Sequence, residues 1–117
     1  MKTLLILTLL NVQFAQAENM DWYDVCRANA VSAGLFLQDR YDGVGMFEMI
    51  EIEHQRLTKV INERGMDPMF IEMQLRSSIE EIEAAFEQPF PLDYSKQLIQ
   101  IDRFKSSYLK LCLEKNS

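Results

Sequence analysis

Apolar positions recur at spacings of three and four along most of the chain, and the strict alternation of a half-buried strand is almost missing. Beyond residue 17 this periodicity predicts four helices. The first covers 20–40, with Asp21 as its N-cap and Trp22, Cys26, Ala30, Ala33 and Leu37 as one apolar stripe, widened by Val25 and Phe36. Ala30, Ala33 and Gly34 are small enough to let a neighbouring helix come close there. A turn at Gly43 and Gly45 leads into the second helix, 46–64, with a stripe of Met46 or Phe47, Ile50, His54, Leu57 and Ile61 and a stop at Gly65. The third opens at Asp67–Pro68, since proline fits a first helical position where its missing N–H is not needed. Its stripe is Ile71, Leu75, Ile79, Ile82 and Phe86, and the prolines of "QPFPL", 88–92, end it. The fourth starts near Asp93, a further cap, and carries Leu98, Ile101, Phe104, Tyr108, Leu111 and Cys112 on one face. Connections this short favour antiparallel neighbours. The expected fold is all-α: a four-helix antiparallel bundle or an irregular four-helix pack.

The first 17 residues read differently. Lys2 precedes an apolar run from Leu4 to Leu10, and Ala15-Gln16-Ala17 has the small-x-small form of a signal-peptidase site. The run falls short of the about 20 residues a bilayer-spanning helix needs. No cysteine follows it directly, which disfavours a lipoprotein. The expectation is a signal peptide, 1–17, and one helical domain, 18–117, working in the periplasm or outside the cell, with no membrane association after cleavage.

Charge and cysteine usage sharpen this. The leader contributes only Lys2, so its loss moves the formal net charge from −6 to −7. A surface this acidic repels nucleic acid and anionic lipid and suits either plain solubility or docking on a basic partner. The cysteines, Cys26 and Cys112, suggest a disulfide in an exported chain, with free buried thiols or pairing between chains as the alternatives. In an antiparallel arrangement both lie about 8–9 Å inside the same end of the bundle and on inward stripes. A bridge there is a staple rather than a reactive site.

Motifs for catalysis are sparse. Glu51-Ile-Glu-His54 has the Glu-x-x-His form of di-iron bundles, but His54 is the only histidine, so the second motif such a site needs is missing. His54 is expected on the edge of its apolar stripe, bonded to a neighbouring acid. "QDRYDGVGMFEM" resembles a calcium loop, yet aligning Gly43 with the loop glycine puts Gln38, Arg40 and Met49 where acids belong. No serine sits in a glycine-flanked elbow and no glycine loop could cradle a phosphate. The carboxylates fall at positions expected to be solvated. No enzyme activity, metal or other cofactor is expected.

The most unusual feature is acidic density. Glu48, Glu51 and Glu53 lie on the second helix, and Glu72, Glu80, Glu81, Glu83 and Glu87 on the third. This is either a solvated face or a docking surface for a basic partner, for which Glu72, Glu80, Glu83 and Glu87 are the candidate contacts. Met46, Met49, Met66, Met69 and Met73 flank the same helices, as core filling or as an adaptable apolar patch.

Cys26, Ala30, Ala33, Arg40, Gly43, Phe86, Pro89, Phe104 and Cys112 together trace an outline: C-x3-A-x2-A, an Arg and a Gly soon after, an aromatic-x-x-Pro, and an aromatic before the last cysteine. This outline resembles a loose group of small exported two-cysteine helical proteins of Gram-negative bacteria and their phages, mostly uncharacterised. The chain is more loosely similar to periplasmic immunity proteins of type VI secretion systems and to small periplasmic inhibitors of lysozyme-like enzymes. No residue-level motif carries that second likeness, so it implies a class and no site residues. The expectation is a non-enzymatic exported protein that binds another protein, as inhibitor or immunity protein of a basic cell-wall hydrolase. The alternative is a periplasmic chaperone or stress protein.

Overall fold

In a computed structural model, residues 21–116 are described; the expected signal peptide lies outside them. Four helices make up the fold: α1 (Trp22–Tyr41), α2 (Met46–Glu63), α3 (Met69–Glu87) and α4 (Tyr94–Lys115). Their ends follow the local chemistry of the chain. The Asp21 side chain accepts a hydrogen bond from Tyr23 N, and that of Asp93 from Ser95 N, each at 3.0 Å, satisfying amides that have no partner inside the helix. Asp67 does the same for Met69 N from just outside α3. Helices α1 and α2 both end by hooking an amide back five residues, Val44 N to Asp39 O and Met66 N to Ile61 O. That closure needs a left-handed residue after the helix, and Gly43 (φ 97°) and Gly65 (φ 66°) supply it.

The helices do not form a four-membered ring. Helix α1 packs against α4 and α3, and α2 packs against α3, so the spatial order is α4–α1–α3–α2. Of the two expected architectures, the chain adopts the irregular one. One core cluster joins Ala33, Phe36 and Leu37 of α1 to Met49, Ile82, Ala85 and Phe104; a second joins Leu57, Val60 and Ile61 of α2 to Phe70, Ile71 and Leu75 of α3.

This order explains which stripes are buried. With two neighbours, α1 buries a face wider than the expected stripe, adding Ala28 and Gly34, while Trp22 in its first turn stays 42% exposed. With one neighbour, α4 fully buries only Phe104; Ile101 and Tyr108 are half-buried, and Leu98 and Leu111 are exposed. Helix α2 corrects the sequence expectation most: Met49, Glu53, Leu57, Val60 and Ile61 face inward, Phe47 is 85% exposed, and His54 is in solvent rather than at the edge of the stripe. Both faces carried apolar residues, and the approach of α3 selects the one displaced by a single position.

Two ties hold α1. At its start, Cys26 and Cys112 form a disulfide with their Cα atoms 5.5 Å apart. At its end, the Arg40 guanidinium donates to Ala85 O at 2.9 Å and Gln88 O at 2.6 Å. These are carbonyls at the C-terminus of α3, where helix partial charge favours a cation. The Phe86 and Phe90 rings flank the same guanidinium at 5.2 and 5.3 Å. Beside it, the Tyr41 hydroxyl donates to Pro89 O.

Replacing both cysteines by alanine opens a covalent loop set by a separation of 86 residues. Chain entropy puts the loss at about 4.6 kcal/mol. Urea denaturation of the double variant should show most of it. Arg40→Ala should cost about 2–3 kcal/mol, since it orphans two carbonyls. Arg40→Lys should restore less than half, because an ammonium lacks the planar fork; equal stability of the lysine variant would show that only the charge matters.

Candidate functional site

The four acids singled out from sequence all lie on the surface of one helix. Glu72, Glu80, Glu83 and Glu87 are all exposed on α3. At 100° per residue they fall within an arc of about 80°, so they form one ridge along the helix. Arg76 stands in the same ridge and lowers its charge by one. The exposed side chains of Met69 (58%) and Met73 (55%) continue it toward the helix start. Of the flanking methionines, Met49 is core and Met46 and Met66 are half-buried, so the group divides between interior and surface.

Two other acids contradict the expectation of solvation. Glu53 is 2% and Glu81 4% exposed. Each lies at a junction of the two core clusters: Glu53 follows Met49 of one and precedes Leu57 of the other, and Glu81 falls between Leu75 and Ile82. Glu53 is ion-paired with Arg56 at 2.9 Å, one turn along α2. Glu81 has no such cation. Burial pushes its carboxyl up to about 8; a hydrogen bond from Ser32 of α1 opposes this, and the charges of Glu53 and Glu80 add to it. Glu81 Oε1 is buried with no hydrogen-bond partner among the described residues, as is Asn29 Oδ1 of α1.

Glu81 and Asn29 line one cavity of about 490 Å³, bounded by α1, α3 and the last turns of α4. Ser77 and Glu80 complete the α3 wall; Tyr108, Leu111 and Cys112 of α4 form an apolar side next to the disulfide; Glu114, Lys115 and Asn116 form the rim at the chain end. The cavity exists because α3 and α4 both pack on α1 and only marginally on each other. Burial, followed by the Glu81 and Glu80 charges, also raises the Tyr108 hydroxyl above its ordinary value, so it stays a neutral donor at any physiological pH. Glu80 belongs to both features: it is a member of the exposed ridge and part of the cavity wall.

The sequence signal for Glu81 was spacing. It lies four residues before buried Ala85 and seven after buried Gln74. Among the described residues no group of three or more His, Cys, Asp or Glu comes together as a metal site, and no helix is long and apolar enough to cross a membrane. No family model, no curated protein and no solved structure matches the chain.

Glu81 gives a pH signature. Unfolded, its carboxyl titrates near 4.5; folded, near 8. Between these values the folded state holds a proton that the unfolded state has released, so stability falls as pH rises through the window. The loss is on the order of 4 kcal/mol across it. Denaturation midpoints should therefore drop from about pH 5 to about pH 8 in the parent protein, and Glu81→Gln should remove most of that drop. Parallel curves for the two proteins would mean that Glu81 ionises freely in the fold.

Proposed function

We propose that this is an exported, non-enzymatic binding protein that docks through the acidic ridge of α3 on a basic partner protein. A basic cell-wall hydrolase is the partner type, held as by an inhibitor or immunity protein. The observation that carries the reading is the placement of Glu72, Glu80, Glu83 and Glu87, all exposed and within one narrow arc. Glu83 and Glu87 stand four apart with like charge, which disfavours the helix, while Arg76 stands four residues from both Glu72 and Glu80 and offsets them. The excess negative charge of the ridge therefore gathers toward the end of α3, where a basic partner would meet it. Charges so arranged steer encounter and set register more than they add affinity. Export is supported by the leader-like first 17 residues and by the disulfide, which persists in oxidising compartments. The resemblance of the cysteine, alanine and aromatic outline to small exported two-cysteine helical proteins points to the same compartment.

A second reading, a chaperone or stress protein of the same compartment, draws on the apolar side chains left in solvent around the α3–α4 connection and along α4. Phe90, Leu92, Tyr94, Leu98, Ile99 and Leu111 are each 46% exposed or more. Such a protein takes many clients through apolar surface, so hydrophobic dye binding and broad suppression of aggregation mark it.

The test is stopped-flow association with basic lysozyme-type hydrolases over a series of salt concentrations. The expected association rate falls steeply with salt, and Glu80→Lys with Glu83→Lys lowers it by about tenfold or more at low salt. Association that ignores both salt and the charge reversal would dismiss the ridge as a docking surface.

A further inference from the structure

The cavity beside the disulfide goes beyond this reading. We infer that it is a receptor for one organic cation, a guanidinium or primary ammonium on a short alkyl stem. Three features of its wall select that chemistry. Two of the residues that line it carry buried oxygens without a hydrogen-bond partner, Asn29 Oδ1, an acceptor, and Glu81 Oε1, which is an acceptor once its carboxyl ionises. A ligand that supplies N–H groups satisfies them; one that supplies only acceptors does not. Its wall is acid-rich: Glu80 and Glu114 stand on it with Lys115, and Glu81 adds a further charge when it ionises. Its remaining surface, Tyr108, Leu111 and the Cys112 sulfur, is apolar and aromatic, suited to an alkyl stem and to a cation over the Tyr108 ring. The volume of about 490 Å³ admits such a group with room for water.

The buried carboxyl is the centre of the site. With no cation beside it, Glu81 is held protonated and desolvated. Entry of a cation lets it turn toward the cavity and ionise against a partner, so uptake releases a proton to solvent. The charged and titratable groups around it are Glu53 of α2, Glu80 of α3, and Tyr108, Glu114 and Lys115 of α4; α1 presents the uncharged Asn29 and Ser32. A cation can come free in solution or on a basic side chain of the docked partner, which Glu80 would lead from ridge to cavity. Only the second source rests on the docking reading.

The probes are n-butylguanidinium, the neutral isostere n-butylurea, and a blocked tripeptide with a central arginine, titrated into the purified protein by calorimetry near pH 7 in buffers of different ionisation enthalpy. The expected result is binding of the guanidinium and not the urea, with close to one proton released per ligand. Glu81→Gln should weaken binding at least about tenfold and abolish proton release; it is isosteric with the neutral, protonated carboxyl it replaces, so it should fold. Glu80→Gln, at an exposed position, should weaken binding severalfold with proton release kept. Binding of the tripeptide as well assigns the site to side chains of a partner; binding of the free guanidinium alone assigns it to small cations. Equal binding of the urea, retained affinity in Glu81→Gln, or no binding of either cation overturns the inference, and none of these touches the salt dependence by which ridge docking is judged.

Discussion

Helix α1 has to serve two neighbours at once, and most of what is distinctive here follows from how it does so. Toward α4 it presents Ala30, Ala33 and Gly34. At Gly34 a Cβ would lie only 2.5 Å from Lys105 Cγ, so the lysine stem rests where any larger residue would stand. Toward α3 it presents Phe36 and Leu37, which reach Ile82 and Ala85. The disulfide ties its first turns to the end of α4, and Arg40 ties its last turn to the end of α3. A helix held at both ends and buried on both sides fixes the distance between α3 and α4 without their touching extensively. The cavity is the space left between them.

That space is not filled as a core would be. An apolar residue at position 81 would bury well against Ile82 and remove a desolvated acid, and an apolar residue at 29 would remove an orphaned amide oxygen. Buried polar groups without partners each cost on the order of 1–3 kcal/mol. Elsewhere the same chain solves the same problem: buried Glu53 has Arg56 within reach, and the α3 carbonyls have Arg40. A local departure from good packing is the kind of inconsistency found where a fold has a task beyond stability. The pH dependence of Glu81 is the thermodynamic face of that departure.

How far the sequence could be read depended on which property was being asked for. Helix ends were legible because single residues determine them: Asp21, Asp67 and Asp93 cap, Gly43 and Gly65 turn left, and Pro89 cannot continue. The staple was legible because two cysteines leave one pairing within the chain. Burial of α2 and α4 was not, because it belongs to pairs of helices. Phe47, Ile50 and Leu57 make as good a stripe as Met49, Leu57 and Ile61 until α3 is in place, and α4 reads as a core helix although it has one neighbour. The acids failed for the same reason. Glu80 and Glu81 are adjacent and chemically identical, and only their angular positions on α3 separate a solvated carboxylate from a buried, protonated one. Arg40 was not legible as a cap, since the carbonyls it binds lie 45 and 48 residues away.

The ridge and the cavity bear on each other through Glu80. An acidic helix face alone is compatible with nothing more than solubility, because exposed carboxylates are well hydrated and weakly coupled. A buried acid alone is compatible with imperfect packing. Their contiguity makes a gradient: a cation drawn to the exposed ridge finds at Glu80 the edge of a recess whose wall becomes less hydrated and more acceptor-rich toward Glu81. Electrostatic attraction weakens for exposed partners under salt but persists in a recess with low-dielectric walls. In the proposed docking, the ridge would therefore govern how fast a basic partner arrives, and the recess how long it stays. The two contributions separate in kinetics, because screening acts on the first and leaves the second largely intact.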